Sequence, residues 1–193
     1  MTRSIKATLE PVFKDIEYVV DTKDKVVSVN EAWDAFALCN DAPGLLSEWV
    51  IGRNWREFVQ GDATRMYMEA MLNATRCLGK RVAHSYRCDS PQEKRYVQLT
   101  VELLPDRHVR FRHHTTQVVE QKYVVNYVVP KTPVVGSKKV KRCSMCNRIE
   151  LQGVWQETEQ AVESGLLQDG AEVLVFYGIC PACHNKVRRI VVK

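Results

Sequence analysis

The sequence predicts an α+β protein in which an antiparallel five-stranded sheet carries helices on one face and a small cysteine-rich domain follows. Two strand-like segments come first, helical patterns follow, and three further strand-like segments then succeed one another with only turns between them. Strands joined by short turns pair antiparallel, so the five segments are expected to form one sheet covered by the helices. Cysteines in two equal pairs near the C-terminus indicate the second domain.

A hairpin and a helix begin the predicted sheet. Residues 16–20 and 26–29 are rich in β-branched side chains and are separated by a polar turn, which is typical of paired strands. Asn30 follows, and its side chain is expected to cap a helix by accepting amide hydrogens of the first turn. Trp33 and Phe36 fall on one face of that helix.

A longer helix is predicted between Asp62 and Gly79. Aspartate is a common residue at the start of a helix, and glycine is the residue that most often follows the end. We expect its buried face to carry residues that recur at short helical intervals. These residues are Met66, Ala70, Leu72, Asn73 and Cys77.

Three strands complete the predicted sheet at residues 81–88, 94–103 and 108–114. Turn-forming residues at 89–91 and 105–107 separate them. No helical pattern interrupts this part of the chain. The three strands are therefore expected to be consecutive antiparallel neighbours.

Prolines and a glycine mark a boundary after these strands. The segment 128–139 contains two prolines, a glycine and a lysine pair, a composition typical of a linker. We therefore divide the chain into a domain at 1–129, a linker at 130–142 and a cysteine domain at 143–193. The stretch 117–129 is compatible with a last strand or with an amphipathic connector.

Cys143 with Cys146 and Cys180 with Cys183 form two C-x-x-C hooks. The two-residue spacer lets both sulfurs of a hook point at one centre, and two hooks complete the four-thiolate shell that structural zinc prefers. Four protein ligands leave no position for water, so we expect structural rather than catalytic Zn²⁺. Iron, in a rubredoxin-like site or a cluster, is the alternative.

The surroundings of the hooks predict a treble-clef-like domain or a variant zinc ribbon. A short helix within 156–167 and a strand at 173–177 lie between the hooks, and a terminal helix is expected at 185–191. His184 follows Cys183 directly. Because four thiolates already fill the shell, His184 is expected to lie outside it.

The other three of the seven cysteines, Cys39, Cys77 and Cys88, fit free thiols in a reducing compartment. No apolar run is long enough to span a bilayer, and residues 1–6 lack a secretory signal, so we expect a cytoplasmic protein without a membrane partner. Cys88 lies between an arginine and an aspartate. It is either a redox-sensing thiol or a small apolar core residue.

The net charge of +5 is concentrated in the cysteine domain, where residues 131–193 carry ten basic and six acidic side chains. Such a surface either stays solvated or attracts phosphates and acidic proteins. The basic residues that flank the hooks are Lys138, Lys139, Lys141, Arg142, Arg148, Lys186, Arg188 and Arg189.

Residues 10–116 resemble a PAS sensory domain. The resemblance rests on residues 18–21, the helix start at 30–33, the stretch 50–55 and the hairpin at 87–91. The whole chain is similar to bacterial PAS signalling proteins with a C-terminal zinc-finger-like module, here residues 143–149, Trp155 and residues 178–183. The resemblance implies a domain that senses a small molecule, light or redox state, or that forms a homodimer.

The residues bear on two cofactors that such domains can hold, flavin and haem. The stretch 52–61 resembles the flavin-binding helix of light-sensing members, but Trp55 occupies the place of the photoreactive cysteine, so Trp55 and Phe58 are expected to fill the core. Haem would need a histidine ligand. The candidates are His84, His108, His113 and His114, of which His113 and His114 face opposite sides of a strand.

The sequence therefore predicts a non-enzymatic signal-transduction protein that acts as a PAS homodimer and contacts a protein partner through its zinc module. Neither a phosphate-binding glycine loop nor a hydrolytic triad is recognisable. The alternatives are a transcriptional regulator whose basic zinc module binds DNA, and a haem- or flavin-based redox sensor.

Overall fold

The structure is a computed structural model that describes residues 15–59, 61–130 and 139–191, the last five without their side chains. Of the predicted linker at 130–142, residues 131–138 lie outside these residues. The helices are α1 (Glu31–Cys39), α2 (Ser47–Val50), α3 (Asp62–Leu78), α4 (Thr158–Glu163) and α5 (Pro181–Val191).

The first sheet is antiparallel and five-stranded, as predicted. Its strands are β1 (Asp15–Val20), β2 (Val26–Val29), β3 (Val82–Arg87), β4 (Glu93–Leu103) and β5 (Val109–Glu120). They lie in the order β2-β1-β5-β4-β3, so β2 and β3 are the edge strands. The chain passes through α1, α2 and α3 between β2 and β3, which places all three helices in one connection across the sheet.

Side-chain hydrogen bonds shape the turn between β1 and β2. The Asp21 carboxylate accepts hydrogen bonds from the backbone amides of Lys23 and Lys25 at 2.8 and 2.9 Å. Asp24 takes the left-handed conformation with φ of 64°, which aspartate tolerates better than most residues. A polar turn of this kind joins the hairpin where the sequence predicts it.

Asn30 precedes α1 but does not cap it, which corrects the sequence-based expectation. Its side-chain amide donates to the carbonyl of Asp15 at 2.8 Å, and its side-chain oxygen accepts from the amide of Glu17 at 3.1 Å. Both partners lie on β1. The side chain therefore anchors the start of α1 to the sheet, a long-range use that helix-capping statistics cannot anticipate.

Helix α3 ends as predicted, but of the five residues expected on its buried face only Leu72 is buried. Gly79 follows it in the left-handed conformation with φ of 63°, a geometry that favours glycine. Asp62 is the first helical residue and not the cap, because Gly61 takes that position. Met66 is 67% exposed. The buried residues are Tyr67, Met68, Met71, Leu72 and Thr75.

Apolar side chains between the sheet and the helices form the main core. Val20, Val101 and Phe111 on the strands are fully buried, and Trp55 is 2% exposed. Trp55 therefore fills the core, as expected. Phe58 is partly buried against the same cluster.

The second sheet is mixed and contains the strands around the cysteines. They are β6 (Asn126–Val128), β7 (Val140–Cys143), β8 (Ile149–Leu151), β9 (Val154–Gln156) and β10 (Glu172–Gly178), in the order β6-β10-β7-β8-β9. β10 pairs parallel with β6 and β7, and the β7–β8–β9 pairs are antiparallel. β6 lies in the stretch 117–129, which the sequence pattern allowed to be either a strand or a connector.

The cysteine region and the first sheet share one apolar cluster. Cys143, Met145, Cys180 and Cys183 belong to the same buried group as the core residues of the first sheet, including Phe111. Among the described helices, none is both long and apolar enough to cross a membrane.

Two methionines on α3 test which face is buried. Replacing Met71, which is 2% exposed, with alanine should lower the free energy of unfolding by about 2–5 kcal/mol, because a cavity remains in the core. Met66→Ala should change it by no more than about 0.5 kcal/mol. Urea unfolding measures both, and a larger loss for Met66→Ala would contradict the observed face.

Candidate metal centre

The first hook lies at a tight turn between β7 and β8. Cys143 is the last residue of β7, and its amide donates to the carbonyl of Arg148 at 2.8 Å. The amide of Asn147 donates back to the carbonyl of Cys143 at 3.0 Å, and Asn147 is left-handed with φ of 59°. This turn returns the chain towards Cys143 and brings Cys146 beside it.

The second hook begins helix α5. Cys180 precedes the helix and Pro181 is its first residue. Proline is well suited to this position, because an amide hydrogen there would have no partner within the helix. The amide of Cys183 donates to the sulfur of Cys180 at 3.5 Å, and the amide of Cys180 donates to the sulfur of Cys143 at 3.4 Å. Amide hydrogens at a helix start stabilise thiolates.

The four sulfurs form one group of the size that a metal ion requires. All Sγ atoms lie within 4.8 Å of one another, and those of Cys146 and Cys180 are 3.7 Å apart. Zinc–sulfur bonds of about 2.3 Å arranged as a tetrahedron give sulfur–sulfur edges of about 3.8 Å. The residues present therefore fit a tetrahedral ion such as zinc.

The ionisation of the thiols also favours a bound cation. Hydrogen bonds from Cys146 and Cys183 hold the pKa of the Cys143 thiol well below its ordinary value. Hydrogen bonding to Cys143 raises the pKa of Cys183, and the pKa of Cys146 rises to about 11 for the same reason. The sulfurs cannot all ionise together unless a positive ion neutralises them.

The other cysteines and His184 lie outside this group. His184 is exposed, and only its amide bonds to the hook, donating to the carbonyl of Cys180 at 2.9 Å. Cys39 and Cys77 are exposed. Cys88 is partly buried, and this burial raises the pKa of its thiol, which disfavours the reactive thiolate.

Arg87, at the end of β3, connects the first sheet to the first hook. Its backbone amide donates to the carbonyl of Met145 at 2.8 Å, and the Asn147 side chain donates to the carbonyl of Arg87 at 3.2 Å. The last residue of the edge strand is thereby bonded to the loop between two candidate ligands, which satisfies an amide and a carbonyl that a sheet edge leaves unpaired.

The Arg87 side chain also connects the first sheet to the cysteine region, in this case through ion pairs. It pairs with Asp89, and it donates to Glu157 before α4 at 2.6 Å. Burial works to lower the pKa of the guanidinium, but the two carboxylates hold it above its ordinary value. Sequence reasoning missed this contact, because Arg87 and Glu157 are 70 residues apart and no local pattern relates them.

Several basic residues near the hooks are engaged within the protein. Lys141 pairs with Glu150 at 3.1 Å and Arg148 pairs with Glu157 at 3.1 Å. The Arg142 guanidinium lies 4.2 Å from the centre of the Tyr127 ring. Lys138 lies outside the described residues, as do the side chains of Arg188 and Arg189.

One of the candidate histidines faces the interior of the first domain. His113 Nδ1 lies 2.8 Å from the Tyr86 hydroxyl, and burial lowers the pKa of His113 to about 4. His114 bonds to Asp15 on the other face of the strand, with its Nδ1 2.8 Å from the carboxylate. The alternation therefore places one histidine inward, as predicted.

Comparisons with known proteins give little further guidance. No protein-family model matches the chain, and no curated protein matches it. A solved structure that is similar is the sensory box sensor histidine kinase from Vibrio cholerae, with a TM-score of 0.40 and 15% identity over 54% of this chain and 85% of that one. We assign no family from this likeness.

Removing one candidate ligand tests the metal centre. Cys180→Ser should reduce the zinc content of the purified protein from about one ion per chain to near zero, because the site needs all four thiolates. Cys39→Ser, at an exposed cysteine, should keep full zinc content. Elemental analysis measures both, and stoichiometric zinc in Cys180→Ser would refute the four-cysteine site.

The buried histidine should make stability depend on pH. Between about 6.5 and about 4 the unfolded state binds a proton at His113 while the folded state does not, so stability should fall as pH is lowered through this window. His113 should account for up to about 3 kcal/mol of the loss, at about 1.36 kcal/mol per pKa unit.

Urea unfolding at several pH values measures this dependence. His113→Gln should show a shallower decline than the wild-type protein, whereas His114→Gln should retain it, because the buried ring is still present. An equal decline in the wild-type protein and His113→Gln would contradict the assignment.

Proposed function

We propose that this chain is a PAS-type sensory protein that transmits a signal without catalysis of its own, through a zinc-stabilised module attached directly to the sensory fold. The strand order β2-β1-β5-β4-β3, with α1 to α3 between β2 and β3, supports the PAS resemblance. One hook lies before a hairpin and the other begins a helix, an arrangement that favours the treble-clef-like alternative over the zinc ribbon for the module.

One observation carries the proposal: the candidate metal ligands and the first sheet belong to the same apolar core. A metal that orders Cys143 to Cys146 also orders the loop that binds the edge of β3 at Arg87. A change in the first domain therefore has a direct physical route to the surface of the module. Four thiolates leave no open coordination position, so the metal's role is to stabilise this arrangement.

The proposed partners are a second copy of the chain and a signalling protein. Homodimer formation is supported by large apolar side chains on and after the first two helices. Leu38, Trp49 and Ile51 are each about half exposed, at 59%, 56% and 49%, and exposed apolar residues of this size favour association. Sedimentation over a concentration series tests the dimer, and a monomer throughout would exclude it.

The alternatives have weaker support. DNA binding would use the basic residues of the module, yet Lys141 and Arg148 pair with acidic residues of the module. Haem would use His113, which lines a cavity formed by the first domain together with the cysteine module. An absorption spectrum of the purified protein tests haem and flavin, and salt-dependent gel shifts test DNA.

Metal removal tests whether the two parts form one unit. Chelation should increase amide hydrogen exchange in residues 139–191 and also in β3 and the facing part of β4, because the loop that covers β3 loses its order. The β1–β2 hairpin, at the opposite edge, is the internal control and should change little. Exchange that rises only in 139–191 would contradict a coupled unit.

A further inference from the structure

A cavity of about 480 Å³ lies between the first sheet, its helices and the cysteine module. Its volume falls in the range of roughly 300–1,000 Å³ that is usual for small-molecule sites. Aromatic rings form much of its lining: Tyr18 meets Trp33 edge-on at 5.7 Å, and Tyr86 meets His113 edge-on at 5.9 Å. Such walls favour a flat aromatic occupant.

The first hook supplies one wall of this cavity. Ser144, Met145 and Asn147 line it, and they belong to the loop that runs through the candidate ligands Cys143 and Cys146. The amide of Ser144 donates to the carbonyl of Gly178 at 2.9 Å, just before the second hook. The position of this wall therefore depends on both hooks and on the ion between them.

Polar atoms at the cavity are left without partners. The hydroxyls of Tyr67 and Ser144 and the indole N–H of Trp55 are buried, and none has a hydrogen-bond partner among the described residues. All three residues line the cavity. An unpaired buried donor costs free energy, about 1–3 kcal/mol each, so these groups together indicate a missing hydrogen-bond acceptor.

The charged groups at the cavity already have ion-pair partners within the protein. Arg87 pairs with Asp89 and Glu157, and Asp89 has a side chain only 2% exposed with Arg142 4.0 Å away. His113 contributes a neutral ring bonded to Tyr86. A charged ligand would find no free counter-ion among the described lining residues, which favours an uncharged one.

We propose that this cavity binds a flat, uncharged aromatic molecule with a hydrogen-bond acceptor, and that its binding is linked to metal occupancy through the Ser144–Asn147 wall. The acceptor receives hydrogen bonds from Tyr67 and Ser144. The inference rests on the proposed function, because it requires a metal-ordered module packed on the sensory domain. Linkage is reciprocal, so the metal and the ligand raise each other's affinity by one factor.

Coumarin and naphthalene are a matched pair of probes for this site. Both are flat, uncharged bicyclic molecules, but only coumarin carries a carbonyl acceptor. The zinc-loaded protein should bind coumarin more tightly, with a shift of the Trp55 indole resonance in the nitrogen–proton spectrum. Equal or weaker binding of coumarin compared with naphthalene would refute the acceptor requirement.

Two variants remove the hydroxyls while keeping the shape of the cavity. Tyr67→Phe and Ser144→Ala should each weaken coumarin binding roughly 2- to 12-fold, the factor for one neutral hydrogen bond, and should leave naphthalene binding unchanged. Zinc content and the amide spectrum check that each variant is folded. The wild-type comparison of the two probes stands even if a variant fails to fold.

The linkage is measured on the wild-type protein by competition with a zinc chelator. Saturating coumarin should tighten zinc binding about 5- to 150-fold, the usual size of such coupling, and naphthalene should do so less. Unchanged zinc affinity would overturn the linkage. A chain that binds zinc but not coumarin would refute this inference alone, whereas a chain without zinc at the four cysteines would refute the proposed function.

Discussion

The packing of four cysteine sulfurs within 4.8 Å of one another is the constraint on which the C-terminal part of the structure depends. Such a group repels itself when ionised, and it becomes favourable only around a cation. An ion bound there would join two hooks from distant parts of the chain, next to the paired strands β7 and β10, and would fix the loop between Cys143 and Cys146. In small metal sites this binding energy is folding energy.

Ordering of the candidate metal centre also affects the first domain, because the two are packed against each other without solvent between them. The loop of the first hook covers the edge strand β3 through Arg87, whose side chain also pairs with Asp89 and Glu157. Removing one partner of a buried ion pair lowers the free energy of unfolding by more than the intact pair adds to it, because a buried charge is left unpaired. The contact is therefore better suited to fixing the orientation of the module than to adding stability.

The contact between the first sheet and the first hook also means that both parts of the chain line the interior cavity. Aromatic residues of the sheet and helices form most of its surface, and residues between the metal ligands close it. Under the proposed linkage, a ligand in this cavity would contact groups whose positions a bound metal fixes. This differs from a sensory domain followed by an independent output module, in which a linker would carry the signal.

Local patterns in the sequence were sufficient to predict the five strands of the first sheet, the glycine that ends α3, the two cysteine hooks and the opposite orientations of His113 and His114. Each depends on residues close together in the chain, where turn chemistry, alternation and the C-x-x-C spacer act directly. Tertiary structure alone decided the buried face of α3, the bonds from Asn30 to β1, the contact between Arg87 and Glu157, and the wall that the first hook adds to the cavity. These features depend on partners far apart in the chain, 70 residues in the case of Arg87 and Glu157. Packing against such distant segments outweighs the local preference of a residue.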